Sequence, residues 1–374
     1  MALSNHVTAL KCFRCGNAHD PHALRTVCES CGMPLRVDLD LPDTSPEDVI
    51  DDDIDSMWRY RAVLPVDYAD AVTLAEGWSP LVQVDETVWI KDEARNPTGS
   101  FKARGMTMAV SAAVALGAQR LVAPSAGNAA GALSAYGAHA GVPVVVAMPR
   151  DTPTIFVEEC RHYGAEVHLV DGTIADAGRW LADHRGASDF DVSTLKEPYR
   201  IEGKKTMGYE LFEQFDVDLP DVVVYPTGGG TGLVGMWKAW DEMERMGWIG
   251  PDRPRLVSVQ PEGCAPVVKA FQEGAEVTEP WDGPVTTAYG LRVPSPIGGF
   301  ICLRALRETG GTAVAVPEAD LHATTQRLAA ATGIDICPEG GAAWAAYERL
   351  RSDGWIREHE RVVVFNTGTG LKYR

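Results

Sequence analysis

The stretch DVVVYPTGGGTG, residues 221–232, sets a short apolar run directly before three consecutive glycines. The apolar run predicts a buried strand over residues 221–227, and the GMWKAWDEM that follows the glycines has helical spacing. Consecutive glycines at the start of a helix expose backbone N–H groups and the positive end of the helix dipole, which together favour an anion. The stretch has neither the Lys-Ser/Thr pair of a nucleoside-triphosphate loop nor the spacing of a dinucleotide fingerprint, so it predicts a site for a single phosphate.

The same succession of apolar run and helical segment recurs along most of the chain. The other predicted strands are VWIKDE (88–93), RLVAPS (120–125), PVVVAMP (143–149), AEVHLVD (165–171), RLVSVQP (255–261), TAVAVP (312–317) and RVVVFNT (361–367). This alternation predicts an α/β protein whose parallel sheets are covered on both faces. In such sheets ligands bind at the carboxyl ends of the strands, which is where the glycine-rich stretches fall.

Two further glycine-rich stretches follow predicted strands, PSAGNAAGA (124–132) and NTGTG (366–370). Taken singly, each is more often a structural turn than a site. Lys102 also follows a glycine-containing turn, in NPTGSFKARG (96–105), although a lysine taken alone is more often solvated. Pyridoxal phosphate (PLP) would give these features a common cause. It needs a lysine for a Schiff base, a phosphate cradle, and partners for its ring nitrogen and phenolic oxygen.

The composition argues against several classes of partner. The 374 residues include 34 Lys and Arg against 52 Asp and Glu, a formal net charge of −18. This charge disfavours nucleic acid or an anionic membrane surface as a general partner. No apolar run approaches the roughly 20 residues that span a bilayer. The first residues lack the basic, apolar and small-residue regions of a signal peptide, so we expect a cytoplasmic protein.

Four of the eight cysteines form the pairs CFRCG and CESCG, with twelve residues between the pairs. They are Cys12, Cys15, Cys28 and Cys31. Two such knuckles can bind one tetrahedral zinc, and the glycine after each second cysteine suits the tight turn that faces backbone amides towards sulfur. Four thiolates would leave no open position, so the metal would be structural. The alternatives are a metal-free module and disulfides. The acidic, proline-marked residues 38–55 that follow predict a linker.

In order and spacing, NPTGSFKARG, SAGN, RIEGKKT, TGGGTG and TGTGLK resemble the threonine synthase-like branch of the fold-type II (tryptophan synthase beta-like) PLP enzymes. The resemblance covers roughly residues 57–374, and a four-cysteine ribbon also occurs in some threonine synthase-like proteins. It implies two open parallel-sheet α/β domains preceded by a small zinc-ribbon-like module. We expect the module at 1–40, a large PLP-binding domain at 41–104 and 201–374, and a smaller mobile α/β domain at 105–200. A homodimer is expected by analogy.

The resemblance implies a role for each matching residue. Lys102 would form the Schiff base and move protons, Asn128 would hydrogen-bond the phenolic oxygen, and Thr367 would meet the pyridine nitrogen. A hydroxyl there does not enforce a protonated ring, which suits elimination and replacement rather than transamination. The cofactor phosphate would be held by backbone N–H groups of Gly228, Gly229, Gly230, Thr231 and Gly232. The substrate carboxylate site would be lined by Thr98, Ser100, Ser125 and Gly127.

The segment YRIEGKKT (199–206) bears most on the substrate. In threonine synthases the corresponding arginine contacts the substrate phosphate, and here it is Arg200. Ser193 lies upstream, and Lys204 and Lys205 follow. A guanidinium fork with nearby ammonium groups suits a phosphate dianion. The alternative is that Arg200 pairs with Glu197 or Glu202 and that both lysines are solvated.

Several positions depart from the family's motifs. Ala103 replaces the usual aspartate after the Schiff-base lysine, and the phosphate loop is all glycine where threonine synthases usually carry asparagine, so that it resembles the loop of dehydratases. The ending TGHGLKDP is here TGTGLKYR, with Thr369 in the histidine position. CPEGGAA (337–343) replaces a more usual serine-containing EPxSA. These departures suggest a paralogue with its own substrate.

Three hypotheses follow. The first is a PLP-dependent carbon–oxygen lyase of the threonine synthase type, which takes O-phospho-L-homoserine to L-threonine. The second is a threonine/serine dehydratase-like ammonia-lyase or β-replacement enzyme, which the all-glycine loop favours. The third is a non-enzymatic binding role with the ribbon as an interaction module, against which an intact Lys102 argues. In the first two the partner is a small amino acid, phosphorylated in the first.

Overall fold

The computed structural model describes residues 3–186 and 188–374. Strands and helices alternate along the chain, as the sequence predicts. The strands are β1 (Val7–Cys12), β2 (Ala18–His19), β3 (Leu35–Leu39), β4 (Leu81–Asp85), β5 (Val88–Asp92), β6 (Arg120–Pro124), β7 (Val144–Pro149), β8 (Glu166–Val170), β9 (Asp189–Asp191), β10 (Val222–Pro226), β11 (Arg255–Pro261), β12 (Thr312–Val316) and β13 (Val362–Asn366).

The helices fall mostly between these strands. They are α1 (Pro46–Val49), α2 (Lys102–Ala115), α3 (Asn128–Ala140), α4 (Thr154–His162), α5 (Ile174–His184), α6 (Tyr199–Gln214), α7 (Thr231–Arg245), α8 (Pro266–Gln272), α9 (Gly299–Glu308), α10 (Glu318–Thr332) and α11 (Pro338–Ser352). Among the described residues, every helix is too short or too polar to cross a lipid bilayer.

The chain divides into two compact units. Unit 1 comprises Met1–Gly77, Asn96–Thr98 and Lys102–Lys204. Unit 2 comprises Trp78–Arg95, Gly99–Phe101 and Lys205–Arg374, so that α6 is divided between the units at Lys204.

Unit 1 carries a four-stranded parallel sheet in the order β8-β7-β6-β9. Successive residues of a strand point to opposite faces, and both faces of this sheet are apolar. Val122 and Val145 pack in one cluster with Leu181 of α5. Leu121 and Val146 belong to the larger cluster of the opposite face, which includes residues of α2 and α3. Burial on both faces explains why β6 and β7 are continuous apolar runs.

Unit 1 also contains a small antiparallel sheet, β2-β1-β3, at the cysteine-rich end of the chain. Leu10, Leu35 and Val37 are buried in it. The linker predicted over residues 38–55 contains the end of β3 and the single turn of α1, with exposed acidic residues around them.

Unit 2 carries a six-stranded sheet in the order β12-β11-β10-β13-β5-β4. Its strands are parallel except for β4, which pairs antiparallel with β5 at the edge. Val222, Val224, Val362 and Val364 pack in one apolar cluster with Ala342 and other residues of α11. The carboxyl ends of β10 and β13 are neighbours, so the sheet brings together the two glycine-rich stretches that follow these strands.

The eight predicted strands are all confirmed, with each end within one residue of the prediction. Residues 41–77, which we predicted in the large domain, fall in unit 1 of the compact division, and the predicted domains stay a prediction. The physical reason is that Met57 and Trp58 are buried in the same apolar cluster as Met106 and Met108 of α2. The mobility of the smaller domain stays a prediction.

Candidate functional site

The glycine loop of unit 2 ends β10 and begins α7. Gly230 caps the helix with φ of 84°, a left-handed conformation that glycine adopts without strain. The first backbone N–H groups of any α-helix point out of its start, and this helix starts at Thr231. An anion is therefore the favoured guest of residues 228–232.

Close packing accounts for the absence of side chains in this loop. A Cβ on Gly228 would overlap the carbonyl oxygen of Gly290, and a Cβ on Gly230 would overlap Cys302 Sγ. Cys302 is fully buried beneath the loop. The loop therefore stays bare at both positions, and its backbone can approach a ligand closely.

Thr367 follows β13 and is 6% exposed. Its carbonyl oxygen accepts a hydrogen bond from Phe101 N at 3.1 Å, and Thr369 N donates to Gly99 O at 2.8 Å. Ser100 and Gly368 form an antiparallel bridge between these two bonds. The residue immediately before Lys102 in the sequence is thus fixed to the residue predicted to meet the pyridine nitrogen.

Two buried hydroxyl groups lie in this part of unit 2. Ser100 is fully buried, and its Oγ has no hydrogen-bond partner among the described residues. Thr367 Oγ1 lies 3.9 Å from Cys337 Sγ. Burial raises the pKa of Cys337 well above its usual value, so this group is a neutral thiol. These polar atoms fit a ligand that offers hydrogen-bonding groups.

Lys102 and Asn128 each begin a helix of unit 1. Lys102 is the first residue of α2 and is half-buried. Thr98, in the turn before it, has φ of 58°. Asn128 is the first residue of α3, follows the cap Gly127, and has an Oδ1 atom without a hydrogen-bond partner in the described chain. Ser125 lies in the loop between β6 and α3, where its N–H donates to Ala147 O at 3.1 Å.

Arg200 is buried, with 2% of its surface exposed. Its Nη1 donates to Val192 O at 3.0 Å and to Thr194 Oγ1 at 3.3 Å, whereas its Nε has no partner among the described residues. Burial lowers the pKa of the guanidinium, and Glu197 and Asp191 oppose that effect. The Nε–H of Arg200 is thus a buried hydrogen-bond donor that a ligand could use.

Glu197, the alternative partner considered for Arg200, hydrogen-bonds to backbone N–H groups. Its carboxylate accepts hydrogen bonds from the N–H groups of Tyr199 (2.7 Å) and Arg200 (3.1 Å) at the start of α6. Burial raises the pKa of Glu197 to about 7, although the charge of Arg200 opposes it. Ser193 also has its donors occupied, because both its hydroxyl and its N–H donate hydrogen bonds to Asp191 Oδ1.

The two lysines of EGKKT are fully buried, so the alternative that they are solvated is wrong. Lys205 Nζ lies 2.8 Å from Glu242 Oε2, and Lys238 Nζ and Tyr209 OH also contact this carboxylate. Burial opposes the ionisation of Glu242, but the charges of Lys205 and Lys238 outweigh it and lower its pKa to about 2. Lys205 is therefore a buried counter-ion of unit 2.

Helices α2 and α6 approach one another through glycines within unit 1. A Cβ on Gly203 would overlap the carbonyl oxygen of Arg104. A Cβ on Gly105 would lie 2.9 Å from Lys204 Cε and 3.4 Å from Arg200 Cβ. The motifs NPTGSFKARG and RIEGKKT are therefore in direct contact, and Arg200 and Lys204 lie against the helix that begins at Lys102.

The four N-terminal cysteines converge on one point. Their Sγ atoms all lie within 4.8 Å of one another, with Cys12–Cys31 at 3.4 Å and Cys15–Cys28 at 3.6 Å. Each knuckle closes as the sequence predicts, because Gly16 N donates to Cys12 O, Gly32 N donates to Cys28 O, and both glycines have positive φ. The described cysteines are all free thiols, the form from which a metal-binding thiolate is generated.

The family described as "Pyridoxal-phosphate dependent enzyme" matches residues 72–368. Two relatives, both named threonine synthase, are similar over 97% of this chain and 92% of their own length. That of Methanosarcina acetivorans is 34% identical and that of Methanocaldococcus jannaschii 31% identical. A fungal L-serine ammonia-lyase from Rhizomucor miehei shares the fold, with a TM-score of 0.68 at 21% identity, over 80% of this chain and 95% of its own.

Two residues near the predicted site were not found by sequence reasoning. Glu339 and Tyr373 contact each other through Tyr373 OH and Glu339 Oε1 at 2.8 Å. Both stand in stretches that depart from the family's motifs, CPEGGAA and TGTGLKYR. Their position in two unusual stretches was the one feature of the sequence that could have drawn attention to them. A contact between residues 34 apart cannot be predicted from motif spacing.

The substitution Glu242→Gln tests the assignment of Lys205 as a counter-ion. It should lower the free energy of unfolding at pH 7 by about 3–5 kcal/mol, because two buried ammonium groups lose their carboxylate. The lowered pKa of Glu242 contributes stability that is present above its ordinary value of 4.5 and lost as the pH falls towards 2. The difference between wild type and variant should therefore shrink between pH 5 and about pH 2.5 in urea titrations.

Glu348→Gln is the matched control, because Glu348 pairs with Arg327 on an exposed surface. It should change the free energy of unfolding by less than about 1 kcal/mol at either pH. An equal loss for Glu242→Gln at both pH values, or none at pH 7, would contradict the assignment.

Proposed function

The chain belongs to the family of pyridoxal-phosphate dependent enzymes, in its fold-type II, threonine synthase-like branch, and we propose that it eliminates phosphate from O-phospho-L-homoserine and adds water to give L-threonine. The observation that carries this proposal is the buried guanidinium of Arg200, whose Nε has no partner in the described chain. A buried cation with an unused donor suits a phosphorylated substrate. The similarity to two threonine synthases over nearly the whole chain supports the same substrate.

The residues present fit PLP. The bare glycine loop at the start of α7 would bind the phosphate through backbone N–H groups of residues 228–232. Asn128 would donate from its side-chain Nδ2 to the phenolic oxygen, and Thr367 would offer its hydroxyl to the ring nitrogen. Lys102 would supply the amine for covalent attachment. When bound, the cofactor supplies an electron sink that makes the protons on substrate Cα and Cβ acidic.

In the proposed reaction Lys102 Nζ takes the proton from substrate Cα and returns one when threonine forms. Lys102 is half-buried at the start of α2, directly after the segment that pairs with residues 367–369. Ser125, Gly127, Thr98 and Ser100 would hold the substrate carboxylate. The buried Ser100 hydroxyl, without a partner in the described chain, is a donor available for that purpose.

Arg200 would bind the substrate phosphate and orient the Cγ–O bond that breaks. Lys204 would add a second positive charge, since its Cε and the Arg200 side chain lie against the same glycine of α2. Ser193 is left out of the proposed phosphate site, because its hydroxyl and its N–H both donate to Asp191 Oδ1. Lys205 is left out of the proposed substrate site, since Glu242 neutralises it.

A second candidate is an ammonia-lyase acting on a serine- or threonine-like substrate, which would release a 2-oxo acid. The all-glycine loop favours it, and close packing at Gly228 and Gly230 leaves no room there for a side chain such as asparagine. Thr369 also differs from the histidine of the threonine synthase motif. Its hydroxyl donates to Asp335.

The experiment that separates the candidates mixes the purified holoenzyme with O-phospho-L-homoserine, L-serine and L-threonine in turn. Inorganic phosphate, threonine and 2-oxo acid are assayed in each reaction. Phosphate release matched by threonine is expected. If O-phospho-L-homoserine gives no product and a hydroxy-amino acid gives a 2-oxo acid, the second candidate replaces the first.

Arg200→Lys should raise the KM for O-phospho-L-homoserine by about 10- to 100-fold, because the ammonium keeps the charge but loses the guanidinium fork. The absorbance of bound cofactor should stay unchanged, which shows that the variant is folded. Arg179→Ala, at an exposed arginine of α5, is the control and should leave the KM as in wild type. An unchanged KM in Arg200→Lys would remove Arg200 from the substrate site.

We also propose that the four-cysteine module binds one structural zinc. Tetrahedral Zn–S bonds of about 2.3 Å place sulfurs about 3.8 Å apart, close to the separations of the four Sγ atoms. Cys28→Ser should abolish the zinc content measured by elemental analysis and lower the thermal midpoint of the module. Cys160→Ser, at a buried cysteine of α4, should keep the zinc. Zinc retained in full by Cys28→Ser would exclude this site.

The homodimer and the cytoplasmic location stay predictions.

A further inference from the structure

Two departures from the family's motifs meet in unit 2. Glu339 comes from CPEGGAA at the start of α11, and Tyr373 comes from TGTGLKYR near the C-terminus. Glu339 is 4% exposed, and its Oε1 accepts a hydrogen bond from Tyr373 OH at 2.8 Å. Burial raises the pKa of Tyr373 well above its usual value, so the phenol keeps the proton that it donates.

The same carboxylate oxygen holds a third segment. Gly290 N donates to Glu339 Oε1 at 2.8 Å. Gly290 is also the residue against which the glycine loop packs, because its carbonyl oxygen leaves no room for a Cβ on Gly228. Glu339 therefore fixes the backbone that supports one side of residues 228–232.

Ring contacts strengthen this connection. Tyr373 stacks on Tyr289 with ring centroids 6.0 Å apart and planes 15° apart, and the guanidinium of Arg292 lies 5.4 Å from the Tyr289 ring centroid. Residues 289–292 are thus held by Glu339 through the backbone and by Tyr373 through a side chain. Two aromatic rings and a buried carboxylate therefore contact this segment and stabilise it.

The start of α11 also reaches Thr367. Cys337, two residues before Glu339, caps the helix, and its N–H donates to Asn366 Oδ1 at 3.1 Å. Gly340 packs against Asn366 so closely that a Cβ there would lie 2.5 Å from the same Oδ1. The segment that carries Glu339 is therefore fixed to the end of β13.

We propose that Glu339 and Tyr373 are positioning residues for the cofactor phosphate: together they hold residues 289–292 in place and so set the position of the glycine loop at Gly228. This inference deepens the proposed function and rests on its cofactor, but not on the identity of the amino-acid substrate. A purely structural pair would stabilise the fold without favouring the phosphate end of the ligand.

The test compares two ligands that differ only in the phosphate. Dissociation constants of PLP and of pyridoxal are measured by equilibrium dialysis against the full-length wild type, Glu339→Gln and Tyr373→Phe. The ratio of the dissociation constant of pyridoxal to that of PLP measures how much the phosphate contributes to binding. Each substitution should reduce this ratio by roughly tenfold, as expected for the loss of one charge-assisted hydrogen bond.

Matched controls come from the same helix. Tyr347→Phe removes a phenol in α11, and Glu348→Gln removes an exposed carboxylate there. Both should leave the ratio as in wild type. The double variant Glu339→Gln/Tyr373→Phe should lose no more than the larger single effect, because Tyr373→Phe keeps the ring that stacks on Tyr289 and removes only the hydrogen bond to Glu339.

An unchanged ratio in Tyr373→Phe and Glu339→Gln would overturn the proposal, even if both ligands bound more weakly. If Glu339→Gln does not fold, Tyr373→Phe decides alone, since it removes a single oxygen atom. The outcome is independent of the substrate assays, which use amino acids. A failure of the threonine synthase assignment would leave this measurement intact.

Discussion

A short antiparallel pairing of residues 99–101 with residues 367–369 sets the geometry on which the candidate site depends. It consists of the Phe101 N to Thr367 O bond, the Thr369 N to Gly99 O bond and the bridge between Ser100 and Gly368. These contacts join segments more than 260 residues apart that follow the neighbouring strands β5 and β13. They bring the backbone just before Lys102 to the end of β13 and its neighbour β10, where the glycine loop begins.

Glycines make a second close approach, between α2 and α6 in unit 1. Gly105 and Gly203 lie at the contact, and a Cβ on Gly203 would overlap the backbone of Arg104. The glycine of RIEGKKT therefore has a steric role in this contact. The contact places Arg200 and Lys204 against the helix that begins with Lys102.

The sequence was sufficient to predict most strands of the parallel sheets. A strand buried on both faces is a continuous apolar run, as in β10 and β13. It missed β4, which lies at a sheet edge, β9, which has three residues, and the three strands of the small sheet at the cysteine-rich end, β1, β2 and β3. The glycine loop and the cysteine knuckles were predictable because their chemistry is local. The burial of Lys205 was not, because its partner Glu242 lies 37 residues away, and the contact of Tyr373 with Glu339 depends on the tertiary fold for the same reason.

The central claim is that Lys102 carries the cofactor, and one measurement tests it directly. The purified holoenzyme is reduced with sodium borohydride, which makes a lysine–pyridoxal linkage permanent, then digested and mapped by mass spectrometry. The account predicts the pyridoxyl group on Lys102, in the peptide that contains NPTGSFKARG. The group on another lysine, such as Lys204, or on none, would contradict it.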